Sequence, residues 1–146
     1  MQSVSVPTSF PTPIDVSKVK DEKGVKKIIK QILDHFGWFH WMPGANGFGA
    51  QGISDHLALK NGVFLAVEAK FGTNKPRPTQ CAFAGHIIAN DAYAFCVNER
   101  NIDHLAWFLE SFEHAVAAQV AGGSVPDDHG ARMVNAIAVL TAPFKQ

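Results

Sequence analysis

Three side chains with the chemistry to act on a phosphate ester lie close together in an apolar stretch: Asp55, Glu68 and Lys70. The dipeptide Asn61-Gly62 separates the apolar runs 55–60 and 63–70 and predicts a two-residue hairpin turn. Lys60 then faces Val63, Leu59 faces Phe64, Leu57 faces Ala66, and Asp55 comes to face Glu68. Directly opposed strand residues have Cβ atoms about 4.5–5.5 Å apart. At an effective dielectric of ~20 two carboxylates so placed repel by roughly 3 kcal/mol. Lys70, two residues beyond Glu68, falls on the same strand face and offsets part of that repulsion. A divalent cation between the acids would offset more, and oxygen ligands suit Mg²⁺ or Mn²⁺. Such a group fits metal-assisted phosphodiester hydrolysis, with the lysine orienting water or balancing developing charge. It fits equally a strand-end salt bridge facing solvent. The hairpin alone does not choose.

The elements around the hairpin must position these groups. Val25, Ile28, Ile29, Ile32, Leu33 and Phe36 recur at helical spacing, so residues 17–36 are expected as an amphipathic helix that stops at Gly37. Lys23, Lys26, Lys27 and Lys30 share its other face. Residues 38–42 read as a short aromatic strand and 43–52 as a glycine-rich loop. Pro76, Pro78 and Thr79 mark a helix start, with the helix over 80–90. Residues 92–97 read as a buried strand and 101–120 as a second long amphipathic helix. Residues 133–140 are apolar, as a strand or a helix. The order α, β, β, β, α, β, α implies an α/β fold, a small mixed sheet flanked by helices. Residues 1–15, with three prolines, read as a flexible N-terminal arm ordered only where something ties it down. Residues 16–146 read as a single domain.

The 146 residues are 47% apolar and 18% charged, which excludes a mainly disordered chain, a collagen or a coiled coil. Cys81 and Cys96 have no Cys-x-x-Cys spacing, so no zinc ribbon or disulfide scaffold is expected, and both read as buried thiols. No apolar run reaches the ~20 residues of a membrane span, and no secretory signal is evident. A reducing, cytoplasmic setting without a membrane partner is the expectation. Net charge is zero, yet residues 1–80 hold ten Lys/Arg against six Asp/Glu, and residues 81–146 hold three against seven. That asymmetry permits a local footprint for an anion.

The pattern Gly52-Ile53-Ser54-Asp55, Glu68-Ala69-Lys70 and Lys75-Pro76-Arg77-Pro78-Thr79-Gln80 resembles the PD-(D/E)XK nuclease superfamily, and within it the VRR-NUC nucleases. It is also similar to archaeal Holliday-junction resolvases. The resemblance covers about residues 17–97 and implies a restriction-endonuclease-like αβββαβ core. It further implies that Asp55, Glu68 and the backbone carbonyl of Ala69 bind Mg²⁺ or Mn²⁺. Lys70 would assist the attacking water, and Gln80 would reach the site from its helix start. The implied activity is a DNA endonuclease that leaves 5′-phosphate ends, with branched or Holliday-junction DNA among its substrates, and the likeness suits a bacterial or phage protein. One site per chain implies a homodimer for cutting both strands. Lys23, Lys26, Lys27, Lys30, Lys75 and Arg77 would contact the DNA backbone. Two positions depart from the pattern. Ser54 replaces the usual proline, and the glutamate expected on the first helix falls at Lys26, with Glu22 one turn earlier.

Weaker signals have plainer uses. Gly47-Phe48-Gly49-Ala50-Gln51-Gly52 matches G-x-G-x-x-G, but a strand follows it where a dinucleotide fold needs a helix. A loop following a phosphate chain suits it better. Trp38, Phe39 and Trp41 read as core aromatics, His56 as packed on the face away from Asp55, and Asp127-Asp128-His129 as a solvated loop. A competing function is a nucleic-acid-binding module on the same fold that does not cleave.

Overall fold

The computed structural model describes residues 3–4, 7, 14–44, 51–124 and 127–145. The loop with the G-x-G-x-x-G pattern therefore lies largely outside the described residues. So does most of the N-terminal arm, although Ser3–Val4 (β1) runs antiparallel to Ile14–Asp15 (β2) and Ile14 is buried in the core.

The protein is mixed α/β, with a four-stranded mixed sheet and helices on both faces. Strands Phe39–Trp41 (β3), His56–Lys60 (β4), Val63–Ala69 (β5) and Tyr93–Val97 (β6) stand in the order β3-β4-β5-β6. The first two pairings are antiparallel and the last is parallel. Asn61 and Gly62 both take positive φ, 51° and 78°, as the expected tight turn demands. The register follows it, from Lys60 opposite Val63 to His56 opposite Val67.

The larger core lies on one face, under helices Glu22–His35 (α1), Ile102–Val120 (α3) and Asp127–Thr141 (α4). Ile29, Ile32 and Leu33 of α1 and Leu105, Phe108 and Leu109 of α3 meet Leu65, Val67 and Phe95 of the sheet. Each large apolar side chain so buried contributes on the order of 1.5–3 kcal/mol. The opposite face is thinner. Helix Pro78–Ala89 (α2) and a 3-10 turn, Ala142–Phe144, cover it around Ala66, Ala84 and Ala94, whose small side chains let the helix lie close.

Several expectations are corrected. α1 starts at Glu22, not near residue 17, because Asp21 caps it by accepting the Gly24 N–H at 2.9 Å. Only Trp38 of the three aromatics is buried. Phe39 is 68% and Trp41 39% exposed, since α2 covers β5 and β6 and leaves the edge strand bare. Asp127-Asp128-His129 begins α4 and is not loop, and the His129 ring stacks on His114 at 3.9 Å. Residues 133–140 belong to the same helix. Cys96 is buried, but Cys81 is only partly so. Among the described residues no helix is long and apolar enough to cross a membrane.

Candidate active site

Along β5 the side chains alternate between the two faces. Leu65, Val67 and Ala69 enter the larger core, while Ala66 and Glu68 face α2. Glu68 is therefore carried under the first turn of α2, where it is only 3% exposed. Asp55 stands one residue before β4 and continues the ladder with its side chain. Its Oδ2 accepts the Ala69 N–H at 2.9 Å. In a strand the N–H and C=O of one residue point to the same side, so the Ala69 carbonyl is directed toward Asp55 as well.

Gly52 fixes this approach. Its φ is +74°, and a Cβ there would stand 2.1 Å from the Thr79 carbonyl oxygen and 2.8 Å from the Gln80 nitrogen. The backbone leading to Asp55 thus lies directly against the start of α2, at a distance only glycine permits.

α2 in turn supplies Gln80. The Gln80 Oε1 accepts the Arg77 N–H at 2.8 Å, as in a capping box, which leaves the amide NH₂ to donate to Glu68 Oε1 at 2.9 Å. Gln80 therefore orients the carboxylate. Lys70 Nζ stands 3.8 Å from Glu68 Oε1 and 3.9 Å from Glu22 Oε1, ion-pair distances beyond hydrogen-bond length. Glu22, the first residue of α1, thus reaches the rim of the site through Lys70. Lys26, at the position where the resemblance expected an acid, places Nζ 3.3 Å from Asp55 Oδ1. Neither contact is readable from local sequence pattern, because both depend on how α1 docks.

Burial dominates the electrostatics. It pushes the Glu68 carboxyl up to about 8, with neighbouring Asp55 adding to the effect and Lys70 opposing it. The second carboxyl oxygen, Oε2, is buried with no hydrogen-bond partner. Burial likewise raises the Cys96 thiol, opposite Glu68 on β6, to about 12. On the other face of β4, His56 is fully buried, its ring nitrogens lack partners, and burial lowers it to about 4.

Of the expected nucleic-acid contacts, Lys23, Lys27, Lys30, Lys75 and Arg77 are exposed, whereas Lys26 is half-buried against Asp55. Two groups were missed from sequence. Glu99 accepts the Gly72 N–H through both carboxylate oxygens, at 2.8 and 3.1 Å, and Arg100 Nη2 donates to the Gly72 carbonyl at 2.6 Å. Together they clamp the loop that follows Lys70.

Among the described residues no group of three or more His, Cys, Asp or Glu side chains forms a ready metal cage. A smaller donor set fits a hard divalent cation: the Asp55 carboxylate, the Glu68 Oε2 without a partner and the Ala69 carbonyl. No protein-family model matches the chain, and no curated protein matches it.

Proposed function

We propose that the protein is a metal-dependent endonuclease acting on DNA, built on a restriction-endonuclease-like core of the PD-(D/E)XK type. The observation that carries this reading is the Glu68 carboxyl, buried beside Asp55 with one oxygen unpartnered. Buried polar groups in folded proteins are nearly always satisfied, and beside a second acid a bound cation is one explanation for an exception.

In this reading Asp55, Glu68 and the Ala69 carbonyl hold Mg²⁺ or Mn²⁺. A bound divalent ion there would polarise a phosphoryl oxygen and acidify water. Glu68 would give up its proton in order to hold such a cation, and Gln80 occupies Oε1, which leaves Oε2 as the available donor atom. Lys70, within 4 Å of Glu68 Oε1, steadies the attacking water or the negative charge that grows on the phosphate. Lys23, Lys27, Lys30, Lys75 and Arg77 would meet the DNA backbone. A single site cuts one strand, so cutting both strands of a duplex or junction takes two copies of the chain.

One observation favours a second reading, a nucleic-acid-binding module that does not cleave. Lys26 already neutralises Asp55 at 3.3 Å, as a cation would. The test is cleavage of linear, nicked and four-way-junction DNA in Mg²⁺, Mn²⁺ and EDTA. Metal-dependent 5′-phosphate products, lost in Glu68→Gln, support the nuclease. Tight binding with every substrate left intact supports the module.

A further inference from the structure

A cavity of about 610 Å³ opens at the ends of β5 and β6, lined by Thr73, Asn74, Lys75, Asn98, Arg100 and Lys145, with Ala142 and Pro143 forming an apolar part of its wall. Three cations and three neutral polar side chains converge there, and among the described residues no acid lines the cavity. The convergence is notable because residues 81–146 carry only three Lys/Arg against seven Asp/Glu, and two of the three, Arg100 and Lys145, face this one space. Glu99, the nearest acid in sequence, is not among the lining residues, and both its carboxylate oxygens accept the Gly72 N–H. Arg100 commits one N–H to the Gly72 carbonyl, and a guanidinium has five to give. Asn98 accepts the Arg100 and Asn101 backbone N–H groups through Oδ1, which leaves its amide hydrogens for a ligand.

The cavity adjoins the acid pair. Asn98 follows Val97, which pairs with Ala69, and Thr73 is three residues beyond Lys70. Three residues span at most about 11 Å, roughly the rise of three nucleotides along one strand.

We infer that this cavity binds the phosphodiester backbone of the DNA strand a few nucleotides from the bond at the acid pair, with Lys75, Arg100 and Lys145 each facing a phosphate. The identity of the ligand rests on the nuclease reading; the cationic character of the site does not. Its size exceeds what one phosphate needs and suits a run of sugar and phosphate, with Thr73, Asn74 and Asn98 supplying neutral hydrogen bonds.

The test is fluorescence anisotropy in EDTA on a labelled duplex of ~30 base pairs and on its single strand. Wild type, Lys145→Gln, Arg100→Gln and the double variant are each measured across a range of KCl. Each phosphate contact removed should lower the slope of log affinity against log salt by about 0.9 on duplex and about 0.7 on single strand, and the double variant by about twice that. Lys145 lies beyond the last helical turn, so Lys145→Gln still tests the site if Arg100→Gln, which frees the Gly72 loop, fails to fold. A folded Lys145→Gln with unchanged affinity and slope overturns the inference, as does a wild type that binds neither DNA. Cleavage in Mg²⁺ separates this from the nuclease reading. Wild-type cutting with an unaltered slope would sink the cavity alone, and a reduced slope without any cutting would sink the nuclease alone.

Discussion

Glu68 and His56 are both titratable, both buried and carried by neighbouring strands, yet the fold treats them differently. His56 lies among the apolar side chains under α1, neutral and without a hydrogen-bond partner. Glu68 lies on the opposite face, beside Asp55, Lys70 and Gln80, with one oxygen bonded and the other not. Burial drives each toward its uncharged form. Only Glu68 has neighbours able to hold a cation that would return it to the charged form. Loss of charge on burial is therefore not itself a mark of function. A buried acid with a second acid at hand, and an oxygen that no protein donor reaches, is a better one.

The largest expected contrast is in cleavage. Removing Glu68 as a metal ligand, in Glu68→Gln, should cost several kcal/mol of transition-state stabilisation and slow cleavage at least about 1,000-fold. His56→Leu should leave cleavage unchanged and stabilise the fold by about 1–2 kcal/mol at pH 7, by removing buried ring nitrogens that nothing satisfies. Single-turnover rates and thermal melts of the two variants check this. A melting temperature clearly lowered for Glu68→Gln in EDTA would instead make Glu68 a structural ion-pair partner.

Next comes the backbone contact that sets the site. Gly52→Ala would place a Cβ within 2.1 Å of the Thr79 carbonyl at a positive φ. It should destabilise the fold by about 2–5 kcal/mol and separate Asp55 from α2. Denaturant unfolding measures the cost, and an unperturbed midpoint would refute the close approach.

The two buried groups also predict opposite pH dependences. Glu68, raised from 4.5 to about 8, favours the folded state fully below about pH 4.5, and this contribution is lost as pH rises to 8. His56, lowered from 6.5 to about 4, contributes stability above about pH 6.5 that is lost as pH falls toward 4. In EDTA the two slopes, each at most about 1.4 kcal/mol per pH unit, oppose one another between pH 4.5 and 6.5. Relative to wild type, Glu68→Gln should remove the decline toward pH 8, and His56→Leu the rise from pH 4. Unfolding free energies across this range in the three proteins test both.

The smallest effect concerns Lys26. Its ion pair with Asp55 is partly exposed, so Lys26→Ala should tighten Mn²⁺ binding only about 2- to 5-fold. Weaker binding would mean that Lys26 helps to assemble the site.

Local chemistry made the hairpin legible. Asn61-Gly62 demanded one turn type, the turn set the register, and the register put Asp55 beside Glu68–Ala69. Pro76, Pro78 and Thr79 announced in the same way the start of α2, which begins at Pro78. Lys26–Asp55 and Glu22–Lys70 were not legible, because they join residues brought together only by the docking of α1 on the sheet. The exposure of Phe39 and Trp41 was hidden for a related reason. Strand type follows from alternation, but which strand a helix leaves uncovered depends on the length and position of α2. Arg100 and Lys145 read as scattered charges until the ends of β5, β6 and α4 come together.

Calorimetric titration with Mn²⁺ at pH 7, in two buffers of different ionisation enthalpy, tests the central claim most directly. A cation held by Asp55 and Glu68 must displace the Glu68 proton, so binding should release close to one proton in wild type and none in Glu68→Gln. No binding, or binding with the same proton release in both proteins, would contradict it.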